Sequence, residues 1–234
     1  MSMNKRVAIL QSSYIPWKGY FDIINMADEF ILLDDVQFTK RDWRNRNKIK
    51  TDKGTQWLTI PVETKSKYEQ LICDTIIANN TWPVTHWSTI KHNYSKAPYF
   101  HTYKDLFEDL FGQCRELKRL SDINYLFLSE ICKTLGITTQ ITWSMDYDSS
   151  GCKTDRLVNL CTAAGADVYL SGPSAKVYID PEHFSNEGIV VEYMDYSNYP
   201  PYTQQFGVFD HYISIIDLIF NEDDGAPRYM KSFS

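Results

Sequence analysis

Two short apolar runs, residues 7–10 (VAIL) and 30–33 (FILL), open the chain with a polar turn and a periodic stretch between them. Runs of this length bounded by turn residues read as buried strands. Between them Phe21, Ile23, Ile24 and Ala27 fit a short helix starting after Gly19. The segment is therefore a strand–turn–helix–strand unit, the usual opening of an α/β sheet. Residues 55–63 (TQWLTIPVE) give another strand, with Pro61 near its end. From residue 82 to 135 the pattern changes to helical spacing through Trp87, Ile90, Tyr94, Leu110, Leu120, Ile123 and Ile131. Pro98 breaks this block, and Gly136 suits the position just past its end.

The last third alternates again. "TTQITWSM" reads as a strand, "KTDRLVNLCTAAGA" as a helix capped by Thr154 or Asp155, and "DVYLSG" and "GIVVEYMDY" as two more strands. The predicted fold class is α/β. It has a mainly parallel Rossmann-like sheet with the helical block of about 82–135 inserted between its two halves. With no repeats and no clear linker, residues 1–234 are read as a single domain.

Composition changes this picture in two places. Aromatics reach 15%, with 16 Tyr, 12 Phe and 6 Trp, and Tyr and Trp line concave sites as readily as cores. The net charge of -6 argues against a general nucleic-acid coat, although residues 40–50 form a local basic patch. Cys73, Cys114, Cys132, Cys152 and Cys161 are scattered without a CxxC pair, which suits a reducing compartment and supports neither a zinc ribbon nor a redox motif. No leader and no stretch long enough to cross a bilayer is visible, so a cytoplasmic protein without membrane insertion is expected.

Three polar clusters fall where the predicted strands end, and ligand sites of open parallel sheets lie beyond the carboxyl ends of strands. In "QSSYIPWKGY", Gln11, Tyr14, Trp17, Gly19 and Tyr20 are candidates for substrate binding, with the helix start facing an anion. A plain turn explains the Pro and Gly equally well. In "DDVQFTKRDWRNRNKIK", Lys40, Arg41, Trp43, Asn45 and Arg46 alternate cations, amides and an indole more tightly than a helix face would. A solvated edge strand is the plainer explanation; Trp43 favours contact with a planar ligand. In "SGPSAK", Ser171, Gly172 and Ser174 form a small turn able to hold a phosphate through its N–H groups. GxSxG, GxxxxGK[ST] and GxGxxG are all absent.

Acid–base candidates are few. His86, beside Trp87, and Asp35 are the catalytic candidates, a histidine being able to serve as base near neutral pH. A lone histidine is more often structural, and His92, His101, His183 and His211 carry that plainer reading. No two histidines stand at HxxxH or HExxH spacing, so no bound metal is expected.

The blocks "QSSYIPWKGYFDIINMADEFILLDDVQFTKRDWRNRNKIK", "HWSTIKHNYSKAPYF", "LVNLCTAAGADVYLSGPSAKVYID" and "FDHYISIIDLIFN" resemble the WbqC-like family over nearly the whole chain. That resemblance implies a bacterial protein of O-antigen or other surface-polysaccharide gene clusters, and transfer of an amino-acid or acyl group to an amino sugar. A looser likeness, in layout, is to the nucleotidylyltransferase-like α/β family. "PWKGY" stands at the place of its HxGH turn and "SGPSAK" at that of its later phosphate loop. Neither histidine of HxGH is present, which argues against adenylyl transfer by that machinery.

The reading is an amide-forming transferase acting on a nucleotide-linked amino sugar, with an activated acyl or aminoacyl donor whose carrier and cofactor the residues leave open. An ATP-dependent adenylating ligase using Asp34 or Asp35 for magnesium, a non-catalytic nucleotide-sugar or carbohydrate binder, and an RNA-binding protein are the alternatives.

Overall fold

The computed structural model describes residues 4–151 and 153–233, with the backbone alone for Lys153; Cys152 and its thiol lie outside the described residues. β1 (Arg6–Leu10), α1 (Lys18–Asn25) and β2 (Glu29–Leu32) form the opening unit. A hairpin of β3 (Arg46–Thr51) and β4 (Gly54–Thr59) comes next. It is followed by three helices, α2 (Trp82–Tyr94), α3 (Phe100–Gln113) and α4 (Leu120–Thr134). The chain then returns through β5 (Gln140–Trp143), α5 (Lys153–Ala163), β6 (Val168–Ser171), α6 (Pro181–Asn186) and β7 (Val190–Tyr193). A long irregular strap leads to α7 (Ile215–Glu222).

The main sheet has the order β5-β2-β1-β6-β7, and each of its pairings is parallel. Counting sheet strands alone, this is 3-2-1-4-5, the first five strands of the Rossmann order. Alternate side chains of β1 enter different layers. Ala8 packs with Phe30, Leu32 and Leu170 against α1, the helical block and α7, whereas Val7 and Ile9 pack with Ile31 and Tyr169 against α5 and α6. Burial on both faces is why these strands read as continuous apolar runs.

Glycines set the return angles. Gly136 has φ of +73°, and the N–H of Ile137 donates to the Cys132 carbonyl at 2.8 Å while that of Gly136 reaches Lys133 at 3.1 Å. This is a Schellman closure, and it aims the chain into β5. Gly165, at φ +66°, repeats it before β6 through Ala166 and Cys161. The expected glycine stop of the helical block is therefore where the structure places it.

Four local expectations are corrected. α1 begins at Lys18, one residue before Gly19, because the helix opens directly on Trp17, whose ring lies where a Cβ of Gly19 would stand, 2.4 Å away. The strand expected at 55–63 is β4, in a two-stranded antiparallel sheet apart from the main one. The basic segment is not one extended row: residues 39–45 turn irregularly, with Arg41 at φ +59°, before β3 starts. Thr154 and Asp155 lie inside the first turn of α5 and so do not cap it; the residue before Lys153 is outside the described residues.

Candidate functional site

A cavity of about 850 Å³ opens beyond the carboxyl ends of β1, β2 and β6. Between β1 and β6 the chain reverses its direction of winding, so the cavity sits at the switch point of the sheet. Its volume falls within the range of ordinary small-ligand sites, about 300–1,000 Å³. The floor is apolar, from Ile9, Leu10, Leu33 and Tyr169.

One wall comes from the turn after β1. Gln11, Trp17 and Tyr20 line the cavity, joined by Ser13 and Pro16, whereas Gly19 is not among the lining residues. The Tyr20 hydroxyl donates to the Gln11 carbonyl at 2.8 Å. The turn is held from behind. The N–H of Ser12 donates to Asp34 Oδ1 at 2.8 Å, and Asn47 Nδ2 donates to the carbonyls of Ile15 at 2.7 Å and Tyr14 at 3.2 Å. Ile15 has φ of +41°, a costly conformation for a β-branched residue, and these bonds keep it there.

The opposite wall is the turn after β6, where Ser171, Gly172 and Ser174 line the cavity together with Pro173 and Tyr178. A third side is aromatic. Trp17 meets Tyr196 and Tyr212 of the strap, each with ring centroids 5.1 Å away, and Trp43 faces the same space. Burial raises the phenols of Tyr20, Tyr178 and Tyr196, so these hydroxyls stay neutral at physiological pH.

Two guanidinium groups supply the charge. Arg44 donates from Nη1 to the carbonyl and side-chain oxygens of Gln11, at 3.1 and 2.9 Å. Arg156 is paired with Asp35, whose other oxygen accepts from Ser144 Oγ at 2.5 Å. In both arginines Nε is buried and lacks a protein partner. No carboxylate or imidazole is among the described lining residues, although Asp35 behind the wall matches the charge of Arg156 and Asp34 and Asp42 lie near Arg44. Anions bind such a site by charge-assisted hydrogen bonds, and two planar forks suit phosphate oxygens.

Arg44 stood in the basic segment without being singled out, and Arg156 was read only as part of a helix. The helix after a parallel strand starts at the carboxyl edge of the sheet, which is the signal that would have marked Arg156.

Several expected residues are elsewhere. His86 is 5% exposed and bonds through Nδ1 to the Tyr14 hydroxyl at 2.9 Å, with the Trp82 ring 5.1 Å away. Burial lowers its pKa to about 4, against a small opposing effect of the Thr59 backbone, so the ring is neutral. Placing His86 in the cleft is thus overturned: an apolar helix face and Tyr14 hold it behind the turn. Tyr14 itself is fully buried among Trp82, His86 and Phe127.

Asn45 is buried and donates to the Ile60 carbonyl at 2.8 Å. Lys40 stands over the Tyr68 ring, Arg41 is exposed on its loop, and Arg46 stacks on Trp57 with its guanidinium carbon 4.2 Å from the ring centre. None of these lines the cavity, and Asp35 reaches it only through Arg156.

Both candidate magnesium ligands are engaged: Asp34 with Ser12 and Ser121, Asp35 with Ser144 and Arg156. Among the described residues no group of three His, Cys, Asp or Glu side chains is placed to hold a metal ion. Nor is any described helix long and apolar enough to cross a membrane.

Fold and site together define an α/β protein with an aromatic-walled cavity lined by two arginines at the switch point of a Rossmann-like sheet. The chain belongs to the WbqC-like protein family, whose model matches residues 11–229. It is similar to a protein of Mycobacterium tuberculosis (strain ATCC 25618 / H37Rv) named "Uncharacterized protein Rv1507c", with 45% identity over 227 residues, covering 97% of this chain and 98% of the relative. No solved structure matches it.

Proposed function

We propose that this protein binds a nucleotide-linked amino sugar in the switch-point cavity and transfers an amino-acid or acyl group to the sugar amine, as a step of bacterial surface-polysaccharide (O-antigen) assembly. One observation carries the reading. Two arginines, Arg44 and Arg156, share an aromatic-walled cavity of about 850 Å³ with no carboxylate among its described lining residues.

The guanidinium groups hold the diphosphate, and the Trp17–Tyr196–Tyr212 corner takes the base or the sugar ring. Ser13, Ser171 and Ser174 then supply small polar groups for the hydroxyls and the amine. With no imidazole in the lining, rate enhancement comes from orienting the amine against the acyl carbon; an effective concentration of reactants gained that way is a large part of many amide-forming reactions. The lack of an acid–base group also favours a second reading, a nucleotide-sugar binder without catalysis.

Mass spectrometry of nucleotide-linked amino sugars incubated with the protein and candidate donors separates the two. A mass gain on the sugar supports transfer, and tight binding without any gain supports the binder. If neither uridine nor thymidine diphosphate binds, or if Arg44→Gln and Arg156→Gln leave their affinities unchanged, the nucleotide-sugar assignment fails.

A further inference from the structure

The cations of β3 divide into two groups. Arg46, Lys48 and Lys50 share the outer face of the hairpin with Trp57, because Lys48 pairs directly with Trp57 and the others alternate around it. The strap after β7 covers one end of this face. Lys48 forms an ion pair with Asp210 at 2.7 Å, and Lys50 donates to the Val208 carbonyl at 2.5 Å. At the other end Trp57 stays 42% exposed, as does Trp43, and their rings lie 5.3 Å apart. Arg46 sits over Trp57 and, among the described residues, forms no ion pair; Asp42 is the acidic group whose ionisation it favours. Trp43 also lines the cavity, so this open shelf of two indoles and a guanidinium continues the wall outwards.

We propose that this shelf receives the adenosine phosphate end of a coenzyme A thioester, whose flexible arm carries the acyl group into the cavity. The proposal rests on the transferase reading above. Indoles stack on purines, and a guanidinium stacked on one of them is placed to meet a phosphate. An acyl adenylate has no arm: its adenosine would need to sit inside the cavity beside the amine. A tRNA donor requires a broad basic surface, yet Lys48 and Lys50 are consumed by the strap and the chain carries a net charge of -6.

The transfer balances without an added reagent. The sugar amine attacks the thioester carbonyl, the C–N bond forms as the C–S bond breaks, and the amine proton ends on the released thiol.

The test is titration calorimetry of the intact chain with coenzyme A, with adenosine 3′,5′-bisphosphate and with pantetheine. Trp57→Ala and Arg46→Gln, checked for folding by circular dichroism, are compared with the parent. Coenzyme A and the bisphosphate are expected to bind the parent and to lose about tenfold in affinity in each variant, as loss of one stacking partner does. Pantetheine alone is expected to bind weakly and equally to all three. Uridine or thymidine diphosphate, measured in parallel, is expected to keep its affinity in both shelf variants and to lose it in Arg44→Gln.

Unchanged coenzyme A affinity in Trp57→Ala and Arg46→Gln overturns the shelf, as does competition between coenzyme A and the nucleoside diphosphate. Preference for a non-hydrolysable acyl-adenylate or for an RNA ending in CCA overturns the choice of donor. Loss of nucleoside diphosphate binding from the parent defeats the nucleotide-sugar reading instead, whatever coenzyme A does.

Discussion

The turn after β1 has two faces, and they do different work. Gln11, Ser13 and Trp17 line the cavity, with the Gln11 carbonyl and side-chain oxygens engaged by Tyr20 and Arg44. Ser12, Tyr14 and Ile15 point away from it, and their own polar groups bond to Asp34, Asn124, His86 and Asn47. Ser12 Oγ accepts from Asn124 while its N–H donates to Asp34, and Asp34 also accepts from Ser121 at 2.6 Å. Burial raises the pKa of Asp34, and those hydrogen bonds and Arg44 hold the rise back. Charge and strain are thus stored behind the turn, whose front carries Gln11, Ser13 and Trp17 to the cavity. The histidine at the back looked chemical in the sequence, whereas the arginines that line the cavity, Arg44 and Arg156, were not singled out.

The contrast can be broken most severely from behind. Asp34→Ala leaves the Ser12 N–H and the Ser121 hydroxyl without their acceptor in a dry site. Each unmatched buried group costs about 1–3 kcal/mol, so a loss of roughly 4 kcal/mol in chemical denaturation is expected. A loss below 1 kcal/mol would mean that the rear network does not hold the turn.

Next in size is a pair of opposed pH effects. The folded pKa of His86, about 4, lies below the ordinary value of 6.5. Its contribution to stability is therefore complete above pH 6.5 and lost as pH falls toward 4, about 3 kcal/mol in all. Asp217, buried between the hydroxyls of Tyr94 and Tyr202, is pushed up to about 6 chiefly by burial. Its sign is opposite: its contribution is complete below the ordinary carboxylate value and lost as pH rises through 6, again by about 3 kcal/mol. Between pH 4 and 6.5 the two offset each other. His86→Gln should then become relatively more stable at pH 4 than at pH 7, and Asp217→Asn relatively less so. Parallel pH profiles for both variants and the parent would exclude this compensation.

At the front, Arg156→Gln removes the guanidinium group from the cavity and leaves Asp35 without its ion-pair partner. Charge-assisted hydrogen bonds contribute about 1.5–3 kcal/mol, so nucleoside diphosphate affinity should fall about ten- to a hundredfold with the fold retained. The smallest effect sharpens the comparison best: His86→Asn should change that affinity less than twofold while lowering stability by about 1 kcal/mol. A tenfold loss of affinity would return His86 to the site by way of the turn.

Most of the architecture was legible because its signals are local. The four-residue apolar runs, the change to helical spacing after residue 82, and glycines placed where helices must turn all follow from how far a side chain sits from its own neighbours. The position of the cavity was legible too, since parallel strands put their carboxyl ends on one edge. Trp17, Trp43, Ser171, Gly172 and Ser174 were chosen on that ground, and all five line it. Which cation in a run of six would face inward was not legible. Arg44 and Arg46 differ by two residues, but one lies before β3 on the loop and the other inside it, over Trp57. His86 failed for a similar reason: its burial depends on Tyr14, which comes from a distant part of the chain, as well as on Trp82 one turn before it in α2.

The sequence by itself determined the order of elements, the double burial of the central strands and the edge at which a ligand site forms, because periodicity and turn chemistry are properties of adjacent residues. Only the tertiary structure decided which polar side chains are used up within the protein and which remain free. Whether Arg44 has a spare nitrogen, whether Lys48 is spent on Asp210 and whether an imidazole is wet or dry all depend on partners more than thirty residues away, brought close by packing.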